Sequence, residues 1–586
     1  MSDCSVGSHN RSREIEDASD VPDTTFHTTF HTTFHTTFHT TFHTTFHTTF
    51  RHDLPHDRQR LYPAGVRATS IGHAGILIET SAGSILCDPW FEPAFFGGWF
   101  PFPRNDQLSA DLHERIEQAD FLYVSHLHGD HHDKAWLDQH LRRDIPILLP
   151  GFPTREQRRT LQEHGFTNFV ETSDTEELEI APGLKIAIHI ESSITDGPGG
   201  DSALVVIADD AILVNQNDCR TNDLGQLAAH GPVDLHWLQF SGAIWYPMVY
   251  EMDDAQKQHQ CAAKVNAQFA RAMRYVEKID ARAVVPSAGP PCFLDPDLFG
   301  LNMIDGDELS IFPDQTTFLA MLNDSERDGV MNIPGTTIEI GDAISSTHPM
   351  PDAQVEAIFN NKRAYLEQYQ ADWLPWLHDM KADWKALDID LLAELQNWWQ
   401  PLLEMAPTLC SMVGANVVIN AGDLPIVIDF PNAEVRRHDG EQHGFRFDIP
   451  RDLVEAVTAQ RAVDWSNSLL LSCRFTAWRE GEFNEYVYNF LKSLSRERIK
   501  RAEAEVVRKL EIAAGGDDRV DEADIQIGNY VVQRRCPHRD ADLEAFGEIQ
   551  DGEFVCTLHG WRFDCDTGAC LTSPTETPLR IRRASL

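Results

Sequence analysis

The sequence predicts a layered α/β sandwich, then a mainly helical α+β region, and a small all-β domain at the C-terminal end. From about residue 65 to 345, short apolar or alternating runs bounded by Gly, Pro, Asp or Asn alternate with helical patterns, as expected for sheets packed against helices. Residues 350–420 carry apolar and aromatic side chains at helical spacing, which is typical of a buried helical stripe. The C-terminal end is crowded with cysteines, at positions 536, 556, 565 and 570, and this density indicates a metal-binding domain.

Composition shifts along the chain give candidate domain boundaries. The segment 24–50 repeats the unit TTFH, a period far shorter than that of any solenoid, and Thr-rich sequence forms helices poorly. We therefore predict disorder there, with histidines that could catch stray metal. Gly and Pro break the pattern near residue 345, and AAGGDD at 513–518 has the composition of a linker. The predicted domains are a low-complexity N-terminus at 1–60, the sandwich at 61–348, the helical α+β region at 349–515 and the metal-binding domain at 516–586.

Charge and hydropathy exclude several classes of partner. The chain has 49 basic and 91 acidic residues and a formal net charge of −42, and a surface this acidic repels nucleic acid and anionic lipid. No run approaches the ~20 apolar residues of a membrane span, and the N-terminal residues lack the apolar core of a secretory signal. We expect a cytoplasmic protein whose cysteines do not form a disulfide scaffold. The acidity alone is also consistent with simple solubility, and an anionic substrate would need a local basic pocket, which the sequence does not locate.

Two mixed pairs of cysteine and histidine stand out near the C-terminus. Cys536 and His538 form the first pair, and Cys556 and His559 form the second. A Rieske [2Fe–2S] centre needs this set, because two thiolates bind one iron and two imidazoles bind the other. The same residues could hold Zn²⁺, but zinc fingers usually pair Cys with Cys and His with His. We therefore predict a Rieske cluster at these four residues.

The sequence HGWRFD…TG that follows resembles the Rieske domains of ferredoxins and ring-hydroxylating oxygenases. Such a cluster can accept electrons from a ferredoxin-type donor. The Rieske proteins of bc complexes carry a loop disulfide, with one cysteine shortly after each His, and here no cysteine lies between His538 and Cys556. We therefore expect no such disulfide and interpret Cys565 and Cys570 as small buried residues.

A second metal site is predicted in the sandwich domain. The sequence YVSHLHGDHHD places His126, His128, Asp130 and His131 directly after an apolar strand. A sharp loop there lets His126 and His128 point at one metal while Asp130 and His131 serve a neighbouring one, and these ligand types suit iron or zinc. This HxHxDH pattern is that of the metallo-β-lactamase fold, an αββα sandwich. The alternative interpretation is a solvated His-rich loop.

The resemblance to that fold implies further ligands. A metal-bridging Asp is expected at the end of a later strand, where AILVNQNDC offers Asp218, with an ordinary turn residue as the alternative. For a further His the candidate is His189, although a strand residue without a metal role is the simpler interpretation. A last His is expected near residue 287, where VVPSAGPPCF has none. This gap favours a single metal with open positions. Flavodiiron proteins carry Glu where His128 stands, which argues against that family.

The surroundings of the motif resemble one family more closely. The segment GHAGILIE…CDPWFEPAFFGGWF followed by ADFLYVSHLHGDHH resembles the CMP-N-acetylneuraminate hydroxylases of vertebrates, which make the N-glycolyl form of sialic acid. ILVNQNDCR resembles the strand end of that family that carries an Asp-Cys pair, which supports Asp218. That family has its Rieske domain at the N-terminus, whereas here it is C-terminal. The resemblance implies the fold and chemistry of an iron-dependent oxygenase and leaves the substrate open.

These features together predict a Rieske-type monooxygenase. A Rieske cluster only carries electrons, and zinc has no redox chemistry that could use them. The combination of a Rieske cluster with a second metal site therefore points to a mononuclear non-haem iron as the second metal, with zinc as the alternative. Asp130 and Asp218 are the predicted catalytic carboxylates of that site. An external ferredoxin or reductase must supply electrons to the cluster, because the sequence contains no flavin or nicotinamide motif. The alternatives are a zinc hydrolase with an accessory Rieske domain, and a pure electron carrier with a degenerate sandwich domain.

Overall fold

The computed structural model describes residues 63, 65–191, 200–221, 224–242, 244–304, 309–513, 523–538, 541–550, 552–556, 561–572 and 577–584. The predicted disorder of the TTFH segment and the predicted cluster ligand His559 lie outside the described residues. None of the helices formed by the described residues is long and apolar enough to cross a membrane.

The N-terminal domain contains two sheets. Its strands are β1 Val66–Gly72, β2 Gly75–Thr80, β3 Gly83–Cys87, β4 Phe121–Tyr123, β5 Ile147–Leu149, β6 Phe169–Glu171, β7 Leu178–Ala181, β8 Leu184–Glu191, β9 Asp201–Ala208, β10 Ala211–Asn217, β11 Leu235–Gln239, β12 Ala283–Ser287, β13 Thr337–Ile340 and β14 Ile344–Thr347. The first sheet has the order β14-β13-β1-β2-β3-β4-β5-β6, and the second has the order β12-β11-β10-β9-β8-β7. Antiparallel hairpins in each sheet give way to parallel strands, β3 to β6 in the first and β10 to β12 in the second.

Helices cover the outer faces of both sheets. They are α1 Ala110–Glu117, α2 Lys134–His140, α3 Glu156–Glu163, α4 Leu224–Ala228, α5 Asp254–Ile279 and α6 Gln315–Asp324. Apolar side chains such as Ile78 and Leu204 form a core between the sheets, while Leu112 and Trp136 pack on the first sheet and Phe269 on the second. The layer order is therefore helix, sheet, sheet, helix, and the predicted αββα metallo-β-lactamase-like sandwich is confirmed.

A mixed region of helices and one sheet follows. Its elements are α7 Asp352–Asn360, α8 Lys362–Lys385, α9 Leu391–Glu404, α10 Pro407–Val413, β15 Asn416–Ala421, β16 Leu424–Asp429, β17 Glu434–Arg437, β18 Phe445–Ile449, α11 Arg451–Ala459, β19 Thr476–Arg479, α12 Glu485–Leu491 and α13 Arg496–Ala513. The sheet order is β17-β16-β15-β18-β19. Its core centres on aromatic side chains, with the rings of Trp399 and Trp465 4.6 Å apart, and it continues into Trp90 and Trp99 of the sandwich. The predicted α+β character of this region is confirmed.

The C-terminal domain is built from short strands. They are β20 Ile525–Ile527, β21 Tyr530–Val532, β22 Gly547–Gln550, β23 Glu553–Cys556, β24 Trp561–Asp564 and β25 Ile581–Arg583, with the single-turn helix α14 Leu543–Phe546. They form two small antiparallel sheets of order β20-β21-β25 and β22-β23-β24. The core of this domain is continuous with that around α5, where Tyr275 meets the ring of Phe546 edge-on at 5.9 Å. This contact fixes the small domain against the sandwich.

Candidate metal centre and cluster site

The HxHxDH loop begins directly after the buried strand β4. The backbone N–H groups of His131 and His132 both donate to the carbonyl oxygen of His128, at 3.0 and 2.8 Å, which closes a tight turn. The carboxylate of Asp88, at the end of β3, accepts a hydrogen bond of 2.7 Å from the N–H of Ser125. The loop is thus held at the ends of two adjacent parallel strands.

His126, His128 and Asp218 form the first group of candidate metal ligands. One nitrogen or carboxylate oxygen from each lies within 4.8 Å of those of the other two. The Nε2 atom of His126 is 2.8 Å from Nδ1 of His128 and 4.0 Å from a carboxylate oxygen of Asp218. The sequence suggested all three residues, and the fold brings the ends of β4 and β10 together to assemble them.

His73, Asp130 and His131 form the second group. One carboxylate oxygen of Asp130 is 3.0 Å from Nε2 of His73 and 3.8 Å from Nε2 of His131. Sequence reasoning proposed Asp130 and His131 and missed His73. His73 occupies the turn between β1 and β2 with a φ of 52°, inside the segment GHAG, so a histidine in a tight turn was the available signal. His73 therefore supplies an imidazole to this site, where the sequence lacks the last His that was expected near residue 287.

Asp218 lies between the two groups. One of its oxygens is 4.0 Å from Nε2 of His126 and the other is 3.3 Å from Nε2 of His131. Among the described residues, the buried atoms Nε2 of His128, Oδ1 of Asp130 and Oδ1 of Asp218 have no hydrogen-bond partner. Unpaired buried polar atoms are costly, and coordination to a metal would satisfy them. The donor set therefore fits metal binding, with Asp218 placed to serve both groups.

Two further carboxylates orient the histidines and were not identified from sequence. Asp88 is 3.2 Å from Nδ1 of His131, and Asp201 is 3.2 Å from Nδ1 of His126. Each contact leaves Nε2 as the nitrogen that faces the ligand group, which is the usual arrangement around a metal-bound histidine. Asp88 belongs to the CDPW segment and Asp201 follows a glycine pair, and nothing in either segment specifies this role.

The protonation of the site is set by burial and by neighbouring charges. Burial opposes the charged form of His131, but the carboxylates of Asp218 and Asp130 outweigh it and raise its pKa to about 10. Burial and the charge of His126 lower the pKa of His128 well below the ordinary value, so its ring is neutral. Neutral imidazole is the form that binds metal. A metal ion at this site would therefore displace a proton from His131.

His189, the weaker sequence candidate, lies outside both ligand groups. Its Nε2 atom is 2.8 Å from Nε2 of His230, and the other ring nitrogen of His230 is 3.2 Å from the carboxylate of Glu177. His189 is thus a strand residue within a separate side-chain cluster.

Three of the predicted Rieske ligands lie among the described residues. Cys536, His538 and Cys556 are all buried, and two thiolates with an imidazole are a donor set that fits the Rieske cluster. Cys556 ends β23 and is in register with Trp561, which begins β24. His559 belongs to the connection 557–560, outside the described residues. Cys565 and Cys570 are also buried.

His538 contacts both its own domain and the mixed region. Its ring stacks on Trp561, with centroids 3.9 Å apart. Its Nε2 atom is 3.7 Å from the carboxylate of Glu485, the first residue of α12. The same carboxylate accepts a hydrogen bond of 3.0 Å from Nζ of Lys509 on α13. Sequence reasoning missed Glu485 and Lys509, because no local pattern links either residue to the cluster motif.

A single cavity of about 230 Å³ adjoins both sites. Residues from the sandwich, the mixed region and the C-terminal domain all contribute to its wall. They include His128, Asp130, Asp218, Arg220, Glu485, His538 and Trp561. A small molecule bound in this cavity would therefore contact both the candidate metal ligands and His538, a predicted ligand of the Rieske cluster. The mixed region, whose role the sequence left open, supplies one wall of the cavity through α12.

Two protein-family models match segments of the chain. The description "Rieske [2Fe-2S] domain" matches residues 509–582, which confirms the predicted cluster domain. The description "Rv3818-like, SCP2-like domain" matches residues 391–508 of the mixed region. The sequence patterns did not predict this SCP2-like match.

Parts of the chain also match hydroxylases and metal-dependent enzymes. Cytidine monophosphate-N-acetylneuraminic acid hydroxylase of Danio rerio is 30% identical over 202 residues, 33% of this chain and 32% of that protein, so the resemblance seen in the sequence is confirmed in part of the chain. The solved structure of Igni18, a metallo hydrolase from Ignicoccus hospitalis, is 14% identical and covers 47% of this chain and 99% of its own, with a TM-score of 0.33. CmlA, a diiron β-hydroxylase from Streptomyces venezuelae, is 13% identical, with a TM-score of 0.31 and coverage of 47% and 55%.

Two relatives match over nearly their whole length. The Rieske 2Fe-2S iron-sulfur protein Rv3818 of Mycobacterium tuberculosis is 42% identical over 518 residues, which cover 87% of this chain and 98% of that protein. The corresponding protein of Mycolicibacterium smegmatis is 41% identical over 522 residues, with the same coverage. The chain therefore belongs to the family of Rieske 2Fe-2S iron-sulfur proteins that includes Rv3818.

Proposed function

We propose that this protein is a Rieske monooxygenase whose cluster passes electrons to a non-haem iron in the sandwich domain. The cluster would be held by Cys536, His538, Cys556 and His559. The iron would draw its ligands from His126, His128, Asp130, His131 and Asp218, with His73 as a further candidate beside Asp130. The observation that carries the proposal is the shared cavity, whose wall includes His538 as well as His128, Asp130 and Asp218. Transfer within one chain is favoured because both sites border the same small space.

Iron in a His and carboxylate site, when bound, supplies O₂ activation and oxidation of a C–H or N–H bond. Zinc at the same position could not use the electrons of a Rieske cluster, which supports iron. The chain's own residues would fix the geometry: Asp88 and Asp201 orient His131 and His126 through their Nδ1 atoms.

The carboxylates and the cavity wall have further roles in this proposal. Asp218 would offer one carboxylate oxygen to each ligand group, and Asp130 would complete the second group beside His73. Trp561 stacks on His538 and shields one face of the ring from water. An external ferredoxin or reductase would reduce the cluster. The hydroxylase relatives are named for a CMP-linked amino sugar acid, and we extend this to a nucleotide-sugar or amino-sugar-like substrate here.

The test compares metal content and electron transfer in three full-length proteins purified anaerobically. They are the wild type, His126→Ala, and His132→Ala as a matched control, since His132 packs on His164 outside both ligand groups. Because all three carry the TTFH repeat, metal held there cancels in the comparison. We expect His126→Ala alone to lose the iron beyond the cluster, with the Rieske EPR signal retained.

In the same proteins, the cluster is reduced chemically and mixed with O₂ in a stopped-flow instrument. We expect His126→Ala to slow cluster reoxidation, while His132→Ala follows the wild type. Zinc instead of iron in wild-type protein made with ample iron would refute the proposal and favour a hydrolase. Equal reoxidation rates in all three proteins would show that the cluster does not deliver its electrons to this site.

A further inference from the structure

We propose that Gln239, Ser466 and Asn489 form a recognition set in the cavity shared by the two sites, and that they select a small uncharged molecule bearing a hydroxyl or amide group. All three residues line the cavity. Each is at least nine-tenths buried, with 9%, 3% and 5% of its surface exposed, respectively. The inference rests on the proposed function in one respect, namely that the bound molecule is the substrate of the oxygenase.

The side chains of the recognition set have no protein partner. None of the three forms a hydrogen bond with another residue in the described part of the chain. Unlike the enclosed unpaired atoms of the metal groups, their polar atoms remain accessible from the cavity. Burial without a partner is costly for amide and hydroxyl groups, and a ligand that supplies the missing hydrogen bonds removes this cost. A ligand group that reproduces the hydrogen bonds of cavity water replaces it without loss of affinity.

Gln239 lies at the metal end of the cavity. It ends β11, and Leu238 before it is in parallel register with Asn217, the last residue of β10. Neighbouring strands lie about 4.8 Å apart, so Gln239 is next to Asp218, which follows Asn217. A group held by the carboxamide of Gln239 would therefore lie beside a candidate metal ligand.

Asn489 and Ser466 belong to the wall that the mixed region supplies. Asn489 lies four positions after Glu485 on α12, so the two side chains share a helix face. The carboxylate of Glu485 is 3.7 Å from Nε2 of His538. Ser466 follows Trp465, whose backbone N–H donates to the carbonyl oxygen of the last residue of α12 at 2.8 Å. The recognition set thus extends from the metal groups to the side of the cluster.

The charges of the cavity wall favour an uncharged ligand. Every carboxylate of the wall already faces an imidazole or a lysine, so none is left for a cationic ligand; these carboxylates are Asp130, Asp201, Asp218 and Glu485. The wall has two cations, Arg220 and Lys492, so a divalent metal ion would bring its charge close to neutral. An anionic ligand would also be repelled by the overall charge of −42.

The size and apolar surface of the cavity limit the ligand further. The cavity volume is about 230 Å³, whereas an engineered cavity of about 150 Å³ holds benzene. There is therefore room for one ring with a substituent. Trp245, Leu471 and Trp561 give the wall an apolar side. The ligand that fits is a small apolar frame with an uncharged polar group, and the charged part of a nucleotide-sugar would lie outside the cavity.

The test compares four probes that share one ring: benzamide, benzyl alcohol, benzoate and benzylammonium. Each is titrated into full-length holo-protein without O₂, and binding is followed by saturation-transfer NMR of the probe. We expect saturable binding of benzamide and benzyl alcohol, and binding of the two ions that is weaker by about tenfold or more, because an ion is costly to bury without a partner. The tighter of the two neutral probes shows whether an amide or a hydroxyl is preferred. Ions that bind as tightly as the neutral probes, or no binding of any probe, would overturn the proposal.

Three variants locate the binding. Gln239→Met, Ser466→Ala and Asn489→Leu remove the polar group and keep most of the volume, and each should weaken binding of the neutral probe about threefold to tenfold, as expected for the loss of one hydrogen bond. Because these groups have no protein partner, the same variants should not lower the midpoint of thermal unfolding. Gln460→Met, at an exposed position after α11, is the matched control and should keep wild-type affinity. Wild-type affinity in all three variants, or weaker binding together with a lowered midpoint, would overturn the recognition set.

The probes need no turnover, so failure of this inference can be told from failure of the proposed function. Protein that holds zinc in place of iron, yet binds the neutral probes through the three side chains, would refute the oxygenase and leave the recognition set standing. Protein that holds iron, but whose probe binding does not depend on these side chains, would overturn only the recognition set.

Discussion

Replacement of Glu485 by Gln is predicted to raise the reduction potential of the Rieske cluster. The carboxylate of Glu485 is 3.7 Å from Nε2 of His538, and both side chains are buried. A negative charge beside a cluster ligand disfavours the arrival of an electron, so removing it makes reduction easier. Gln has nearly the same shape and keeps a polar group opposite the ring, so the substitution isolates the charge.

The size of the shift follows from the geometry. Nε2 of His538 faces Glu485, so iron would be bound by Nδ1 on the other side of the ring. Adding about 4 Å for the ring and the metal–nitrogen bond puts the carboxylate about 8 Å from the iron. At an effective dielectric constant of about 20, unit charges at that separation interact by about 2 kcal/mol. For a one-electron couple this corresponds to a rise of about 90 mV.

Lys509 provides the opposing perturbation. Its Nζ atom is 3.0 Å from the other oxygen of the Glu485 carboxylate, so it lies about 13 Å from the iron at most. Lys509→Met removes a positive charge and should lower the potential by about 55 mV or more by the same calculation. Opposite signs for the two variants would distinguish an electrostatic effect from a disturbance of the fold.

The assay is a redox titration at pH 7 followed by the EPR signal of the reduced cluster. Glu482→Gln is the control, since Glu482 is exposed and only three positions from Glu485. Its potential should equal that of the wild type. Unchanged potentials in both Glu485→Gln and Lys509→Met, or shifts of the same sign, would refute the assignment of these residues to the environment of the cluster.

Further predictions concern stability. Gly98→Ala should lower the free energy of unfolding by about 1–3 kcal/mol, because the new Cβ would lie 2.9 Å from the backbone of Ser472. Gly300→Ala, where no atom lies within 4 Å of the new Cβ, should change stability by less than about 0.5 kcal/mol, and equal thermal shifts for both variants would contradict the argument. Burial lowers the pKa of His236 to about 3. The neutral ring therefore makes its full contribution to the free energy of unfolding above pH 6.5, and this contribution is lost as the pH falls towards 3. Urea unfolding should therefore show a loss of about 2 kcal/mol between pH 6.5 and pH 5 that His236→Gln lacks, and equal pH dependence in both proteins would count against a buried neutral ring.

Local patterns in the sequence carried much of the interpretation. The alternation of short strands and helices predicted the αββα sandwich, because each element must bury one apolar face and few layer arrangements do so. The Cys-x-His and Cys-x2-His pairs predicted the Rieske domain, since cluster ligands of each pair come from one tight loop. His126, His128, Asp130 and His131 were proposed as ligands for the same reason, and the structure gathers them with Asp218 into two adjoining groups.

Only the tertiary structure brought distant residues into the sites. His73 reaches Asp130 from another turn, and Glu485 reaches His538 from α12. No characteristic spacing in the sequence marks these contacts, because they depend on how separate elements pack and on the direction each side chain takes from its backbone. The sequence by itself therefore determined the fold class and the motif ligands, whose geometry is fixed within one loop. Packing of the sandwich, the mixed region and the Rieske domain decided the cavity between them, together with the charges that surround it.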